Sequence, residues 1–516
     1  MAVLAAMAAF YPAAAQTSSA LMTDRAAARF LDQATWGPTP ASIAQLEQMG
    51  INSWLASQFE LNTSDLPDQP ILNSAGKTNQ DLTPVQSAFF ANAVSGQDQL
   101  RQRVAFALSE ILVVSALQTK PAYAFPPYWR ILRDNAFGNY RDILRAVTLS
   151  PAMGTYLNMA NNNKGNAAKG TSANENYARE LLQLFTLGLT KLNLDGSPVL
   201  DSNGNPVPTY NQAEITSEAK MLTGWTYPTA PGATAKNNNP AYYFGPMIAV
   251  ETEHDTSAKT IFGNIQIPAG QTAEQDLESL LDALMAQPTM APFVCKQLIQ
   301  HLVTSNPSPA YIERVATVFE NNGGGVRGSM GAVITAILSD PEARAGDEAS
   351  AAVNASFGHL REPVLFMANL LRGLNATLGA SSTIYSQTNL MGQNLFYAPS
   401  VFSYFSPLYR IPGGELAPEF QIYSTQAASE RADIVNSAIY GHLDKSTTVD
   451  LSQFVSRGNN VTGLLAYAGY AFLHSNMSQA LSAQAAVAAN AAATPAARAQ
   501  AVLYLVLTSS EYQVIQ

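Results

Sequence analysis

The sequence predicts a mainly α protein, a large multi-helix body with small β-hairpin insertions. Three observations carry this reading. Apolar residues recur at three- and four-residue spacing, as at Leu100, Val104, Ala107, Leu108 and Ile111. Helix start and stop signals bracket many such stretches. The turn pairs Asp195-Gly196 and Asn203-Gly204 separate short alternating runs over 192–210, which read as a β-hairpin excursion.

The elements follow in chain order. In the helical stretch 23–60, Ala26, Phe30 and Ala34 share a face, and Trp36-Gly37-Pro38-Thr39-Pro40 interrupts. Thr39 or Ser42 then caps a second helix that Gly50 stops. Residues 61–84 are polar with several prolines and read as a loop. A long helix is expected over 97–117, with shorter ones over 128–137 and 140–149. The segment 161–173 is low in complexity and expected to be mobile. Helix 174–188 follows, then the hairpin region. Asn211 with Glu214 starts a helix carrying Ile215, Ala219 and Leu222. Short β pieces such as 260–266 lie within 228–270. Helices are expected at 272–286, 291–303, 309–321, 330–338, 351–379, 425–441 and 477–507, the last broken at Thr494-Pro495.

Composition bounds the function classes. Charged residues make up 13% of the 516 positions, about half the usual ~25%, so Asn, Gln, Ser and Thr supply much of the polar surface. Net charge is −10 and no Lys/Arg run occurs, which excludes a nucleic-acid footprint. The single cysteine, Cys295, rules out an intramolecular disulfide and a multi-cysteine zinc site. It sits in an apolar helical run and reads as a buried structural thiol.

Residues 1–15 read as a signal-peptide remnant. The apolar stretch from Ala2 to Phe10 precedes Ala13-Ala14-Ala15. No basic residue comes before Arg25, so either the start lies upstream or the signal is trimmed. The expected location is periplasmic or secreted, and no later segment reaches the ~20 apolar residues of a membrane span. A weak boundary at Gly323-Gly324-Gly325 separates an N-terminal lobe (23–322, with a β insertion near 192–270) from a C-terminal lobe (326–516). The alternative is one continuous domain.

Chemistry could reside in several places. On helix 174–188, Tyr177, Ala178, Leu181, Leu184 and Phe185 form one stripe, while Glu175, Asn176, Arg179, Glu180 and Gln183 lie opposite. Ser172 with Glu175 spells a capping box, and Gly188 a stop. Glu175 and Arg179 have the spacing of an i,i+4 ion pair on a solvated face. In the sharper reading the face lines a polar cavity. Glu180 is then a general acid or base, with Arg179 setting its pKa, and Asn174 and Asn176 are binding positions. Arg103 and Glu110 flank the stripe of the long helix, either as neighbours of the core or as partners of the Glu180 face. His254-Asp255, in a run with Glu251 and Glu253, is the best candidate for proton transfer.

Other chemistries find less support. His301, His359, His442 and His474 show no metal-ligand spacing, so no metal site is assigned. The 201–205 run lacks a calcium-loop pattern and reads as a turn. Serine-hydrolase, P-loop and dinucleotide fingerprints are absent, which leaves the cofactor unknown. Aromatic groups, among them Tyr128-Trp129, Tyr242-Tyr243-Phe244 and Phe396-Tyr397, either pack the core or stack on sugar rings.

Several motifs in order resemble one bacterial family, the domain of unknown function 1800. Arg29 to Pro40 is similar to its R-x-x-F-G-P-T opening, with Trp36 in place of Phe. Residues 174–188 resemble its N-E-N-x-A-R-E-L-x-E-L-F-T-L-G core, with Gln183 at the second acidic position. Glu214 to Trp225, His254-Asp255 with Lys259 and Gly263, and Phe293 to Val303 resemble later blocks. So do Met391-Gly392-Gln393 with Pro399-Ser400-Val401, and the close from Leu507 to Gln513. The resemblance implies an exported, mostly helical protein. It also implies a neighbour from a second secreted family, the domain of unknown function 1501, which resembles sulfatases. It brings no established reaction and no catalytic residue. Two functions are therefore expected: an exported binding or accessory protein acting with that sulfatase-like partner or a glycan, or an enzyme on a polysaccharide or cell-envelope polymer. The second would use Glu175, Arg179, Glu180, His254 and Asp255.

Overall fold

A computed structural model describes residues 22–348 and 356–516. The protein is mainly α, with four two-stranded sheets among the described residues. The proposed signal remnant lies outside the described residues.

The centre of the body is the Gln99–Ile111 helix, of which every residue except Ser109 is buried. It packs against Asp24–Ala34, Pro40–Glu60, Phe125–Asp134 and Met290–Leu302. It ends at Ile111, short of the expected 117, and the chain then turns along the core. Thr39 and Ser42 form the capping box of Pro40–Glu60, and Gly50 (φ 71) kinks that helix rather than ending it. Two helices had weak sequence signals, Thr83–Ser95 and Val461–Phe472. Both present apolar residues on more than one face, which blurs the 3.6-residue period.

The 192–210 excursion contains no regular strands. Its limbs are joined by isolated bridges, Leu192 to Pro198, Leu200 to Pro206 and Thr190 to Pro208. Proline at one side of each bridge removes a ladder donor, which limits strand growth.

Near the C-terminus, Pro495–Thr508 packs against Thr425–Ile439, Val461–Phe472 and Gln479–Ala491. The chain then returns as strand Val514–Ile515 beside His359–Leu360. That pairing places His359, Arg361 and Glu362 deep in the molecule, just before the Pro363–Gly373 helix. Of the expected 351–379 helix, only Pro363–Gly373 is helical among the described residues.

Candidate functional site

The 174–188 segment is not one regular helix. Asn176–Glu180 is α-helical and Leu181–Thr186 is a π-helix. The Ser172–Glu175 capping box does not form. Instead the Asn174 side chain accepts from the Asn176 amide at 2.9 Å. Gly188, at φ 72, ends the segment as expected, its N–H bonded to the Leu182 carbonyl. The wider π turn shifts the faces, so Leu184 points into a cavity described below.

The polar face itself is partly solvated. Glu175 and Arg179 pair at 3.2 Å, and Glu175 also accepts from Gln212 at 2.7 Å and Thr216 at 2.8 Å. Asn174 is exposed and Asn176 half-buried. Glu180 is half-buried with Oε2 enclosed and unpartnered. Burial raises its pKa against the pull of Arg179. Glu218, on the next helix, is fully buried with both carboxyl oxygens unpartnered, and burial drives its pKa far up.

His254 is fully buried. Its Nδ1 meets the Thr223 carbonyl at 2.9 Å, and its Nε2 lies 3.2 Å from Asp276 Oδ2, off the hydrogen-bonding line. Lys259 pairs with the same Asp276 oxygen at 2.6 Å. Asp255 accepts from the Ser257 amide and hydroxyl. Glu251 and Glu253 turn elsewhere, to Ala273 and Asn237. The arrangement fastens the 250–257 loop onto two helices. His254 and Glu175 share no partner, although the Gln212–Met221 helix packs against both surroundings.

Arg103 and Glu110 do not meet the Glu180 face. They enter a buried cluster built from distant parts of the chain. Glu110 and Glu362 are hydrogen-bonded to each other. Gln393 Nε2 donates to Glu110 Oε1 at 3.2 Å and to Glu362 Oε2 at 2.5 Å. His301 Nδ1 stands 3.2 Å from Glu110 Oε2 but off the hydrogen-bonding line, which leaves that oxygen unpartnered. Arg103 is bonded to the His301 carbonyl. Beyond them, His359 Nδ1 lies 3.1 Å from Glu419 Oε1.

Burial pushes Glu110 up to about 7, against the Glu362 hydrogen bond and Arg103, with Glu419 adding repulsion. Burial and Glu110 drive Glu362 well above the carboxylate range. Burial lowers His301, despite Glu362 and Glu419, so its imidazole is neutral at neutral pH.

Glu110, His301 and Glu419 line one cavity of about 30 Å³, large enough to hold water. Leu184, Gln297, Phe402, Phe405 and Pro407 complete much of its wall, and Phe402 is exposed at its mouth. Glu110 and Ser403 also line a second small cavity behind it. Phe396 (φ 70) and Ser403 (φ 62), which line that second cavity, hold left-handed backbone. Such conformations cost about 1–3 kcal/mol each and collect at functional sites. Among the described residues, no group of three His, Cys, Asp or Glu side chains could hold a metal ion. No helix among them is long and apolar enough to cross a membrane.

The family described as Protein of unknown function (DUF1800) matches residues 29–514. The chain belongs to this family. No curated protein and no solved structure matches it. The cavity draws on blocks of the family resemblance to which the sequence assigned no role. Gln393 belongs to the Met391-Gly392-Gln393 block, Val401 to the Pro399 block, and Gln297, Gln300 and His301 to the Phe293 helix. Glu362, His359 and Glu419 carried no local signal.

Proposed function

We propose that this DUF1800 protein is an enzyme whose reaction site is the cavity lined by Glu110, His301 and Glu419. One observation carries the reading: Glu110 is a fully buried carboxyl poised near neutrality, with a free oxygen in a cavity that also holds a second carboxyl. A group with a pKa near the working pH is well suited to both giving and taking a proton. Glu362 and Gln393 orient it, and Glu362 supplies the neighbouring proton. Glu419, oriented by His359, is the opposing carboxyl that supports a developing positive charge or takes a proton from water. Acid-catalysed cleavage of a glycosidic or similar bond uses such a pair. The inner cavity admits only water-sized groups, so a larger substrate rests at the Phe402 mouth with its reacting bond directed inward.

The carboxyls assigned here are Glu110 and Glu419, in place of Glu175, Glu180 and the His254-Asp255 pair. A binding role with a glycan or a sulfatase-like partner draws on the exposed Phe402 and Leu408. The apolar N-terminal stretch supports export, and fractionation of the producing cell tests it. The deciding experiment screens turnover of oligosaccharides and esters by wild type and Glu110→Gln. Turnover that survives Glu110→Gln, on every substrate the wild type accepts, ends the reading.

A further inference from the structure

A cavity of about 320 Å³ lies between the start of the Asp24–Ala34 helix and the 473–478 turn, a size that suits a small molecule. It shares no lining residue with the Glu110 cavity. Arg25, Arg29, His474 and Asn476 all line it. His474 (φ 50) and Ser475 (φ 56) hold left-handed backbone, a strained pair for residues other than glycine. The turn sets the His474 ring against Asp32, with Nε2 2.9 Å from Asp32 Oδ2. His474 is only 8% exposed. Its Nδ1 has no hydrogen-bond partner and is not enclosed, so that nitrogen opens on the cavity.

The partners of Asp32 fix the tautomer. Arg361 and Asn369 also donate to Asp32, which is thereby an ionised carboxylate that only accepts. His474 Nε2 therefore carries the proton. Burial keeps the ring neutral, so Nδ1 presents a lone pair to the cavity. The same cavity holds donors without acceptors. Arg25 gives Nε to the Gly346 carbonyl at 2.7 Å, while its Nη1 is enclosed and unpartnered and its Nη2 is unbonded and open. Arg29, 1% exposed, pairs through Nη1 with Asp347 at 2.6 Å and through Nε with the Gln516 carbonyl, and its Nη2 has no acceptor among the described residues. Arg344 reaches Asp347 as well, at 3.5 Å, so three guanidinia converge on residues 346–347 against one carboxylate. Glu511 lines the cavity too, but its oxygens accept from the Ser478 amide at 3.0 Å and the Ser478 hydroxyl.

We infer that this cavity is a separate binding site for a small hydroxy acid, whose carboxylate lies at the Arg25 and Arg29 guanidinia and whose hydroxyl donates to His474 Nδ1. The inference does not depend on the reaction-site reading. A neutral imidazole held by Asp32 accepts one hydrogen bond and selects a ligand that can donate it. Guanidinium groups recognise a carboxylate by charge and by their forked geometry. Asn476, whose side chain has no partner, adds an amide to the same wall. Asp32 and Arg361 hold the imidazole from behind, so the site is built before the ligand arrives.

Calorimetric titration of the whole protein with lactate and gluconate tests this, with the O-methyl ether of lactate and lactamide as comparisons. The wild type is expected to bind at least one of the two acids. The ether, which lacks the donor, and the amide, which lacks the charge, should each bind about tenfold more weakly than lactate or not at all. Arg25→Met should weaken acid binding about tenfold, and Arg25→Lys should return part of it. His474→Phe should abolish the preference for lactate over its ether, a readout that a merely structural role would not move. Melting temperatures check the folding of each variant, and the half-buried Arg25 gives a test that leaves the Asp32 cluster intact. Failure of the wild type to bind either acid overturns the inference, as does equal binding of lactate, its ether and lactamide. Glu110→Gln should leave the binding intact, and its loss there would place the ligand in the other cavity and overturn the inference as well.

Discussion

Glu362 faces Glu110 across a hydrogen bond that two ionised carboxylates could not make. Burial drives Glu362 well above the carboxylate range and Glu110 up to about 7. The pair therefore keeps a proton inside the protein at neutral pH and titrates as a unit.

Stability should fall as pH rises through this pair. Glu110 has a folded pKa of about 7 against an ordinary value of 4.5, so the folded state binds the extra proton. Its contribution is complete below 4.5 and is lost as pH climbs through 7. The loss is worth about 3 kcal/mol at the alkaline end. Glu110→Gln, a neutral isostere, should remove most of this decline and leave the protein more stable at pH 8. Urea unfolding between pH 4 and 8 measures it, and an unchanged pH slope would count against the assignment.

Asp32 behaves in the opposite sense. Burial works against its charge, but Arg361 and His474 outweigh burial and hold it at about 2. His474 Nε2 lies 2.9 Å away, and Asn369 adds a bond of 2.9 Å. The stabilisation is present above the ordinary value of 3.8 and is lost as pH falls through 2. Asp32→Asn leaves the buried Arg361 guanidinium without an anion and should cost about 3–5 kcal/mol at neutral pH. Guanidinium unfolding curves give the number.

The helical class was legible because caps and apolar periods are local. Asn211 with Glu214 and Thr39 with Ser42 cap their helices as the spacing implies. The π-helix at Leu181–Thr186 was not legible, since its residues suit an ordinary α-helix and tertiary packing decides. Nor was the cavity. Glu110, His301, Glu362 and Glu419 are far apart along the chain, and no periodicity reports which distant residues meet. The charges of the long helix pointed toward the right element, and only the fold could name their partners.

Gly188→Ala should destabilise the segment that carries Leu184. Gly188 has φ +72, and an added Cβ would lie 2.6 Å from Phe293 Cε2. Backbone strain with this overlap should cost roughly 1–3 kcal/mol. Phe293→Leu, which shortens the opposing ring, should return part of that loss in the double variant. Full additivity of the two single effects would show that the ring is not the obstacle.

Glu175→Gln separates the helix face from the cavity. Glu175 sits on a partly solvated i,i+4 pair with Arg179 and has Thr216 and Gln212 as further partners. An exposed pair of this kind is worth at most about 0.5 kcal/mol. Neutralising it should therefore change stability slightly, and it should leave both turnover and the pH slope set by Glu110 and Glu362 intact. Glu180→Gln should differ in sign. Burial already raises that carboxyl's pKa, so the amide removes a charge the site disfavours and should stabilise modestly at neutral pH. If either substitution abolished turnover while Glu110→Gln spared it, the chemistry would belong to the 174–180 face and not to the Glu110 cavity.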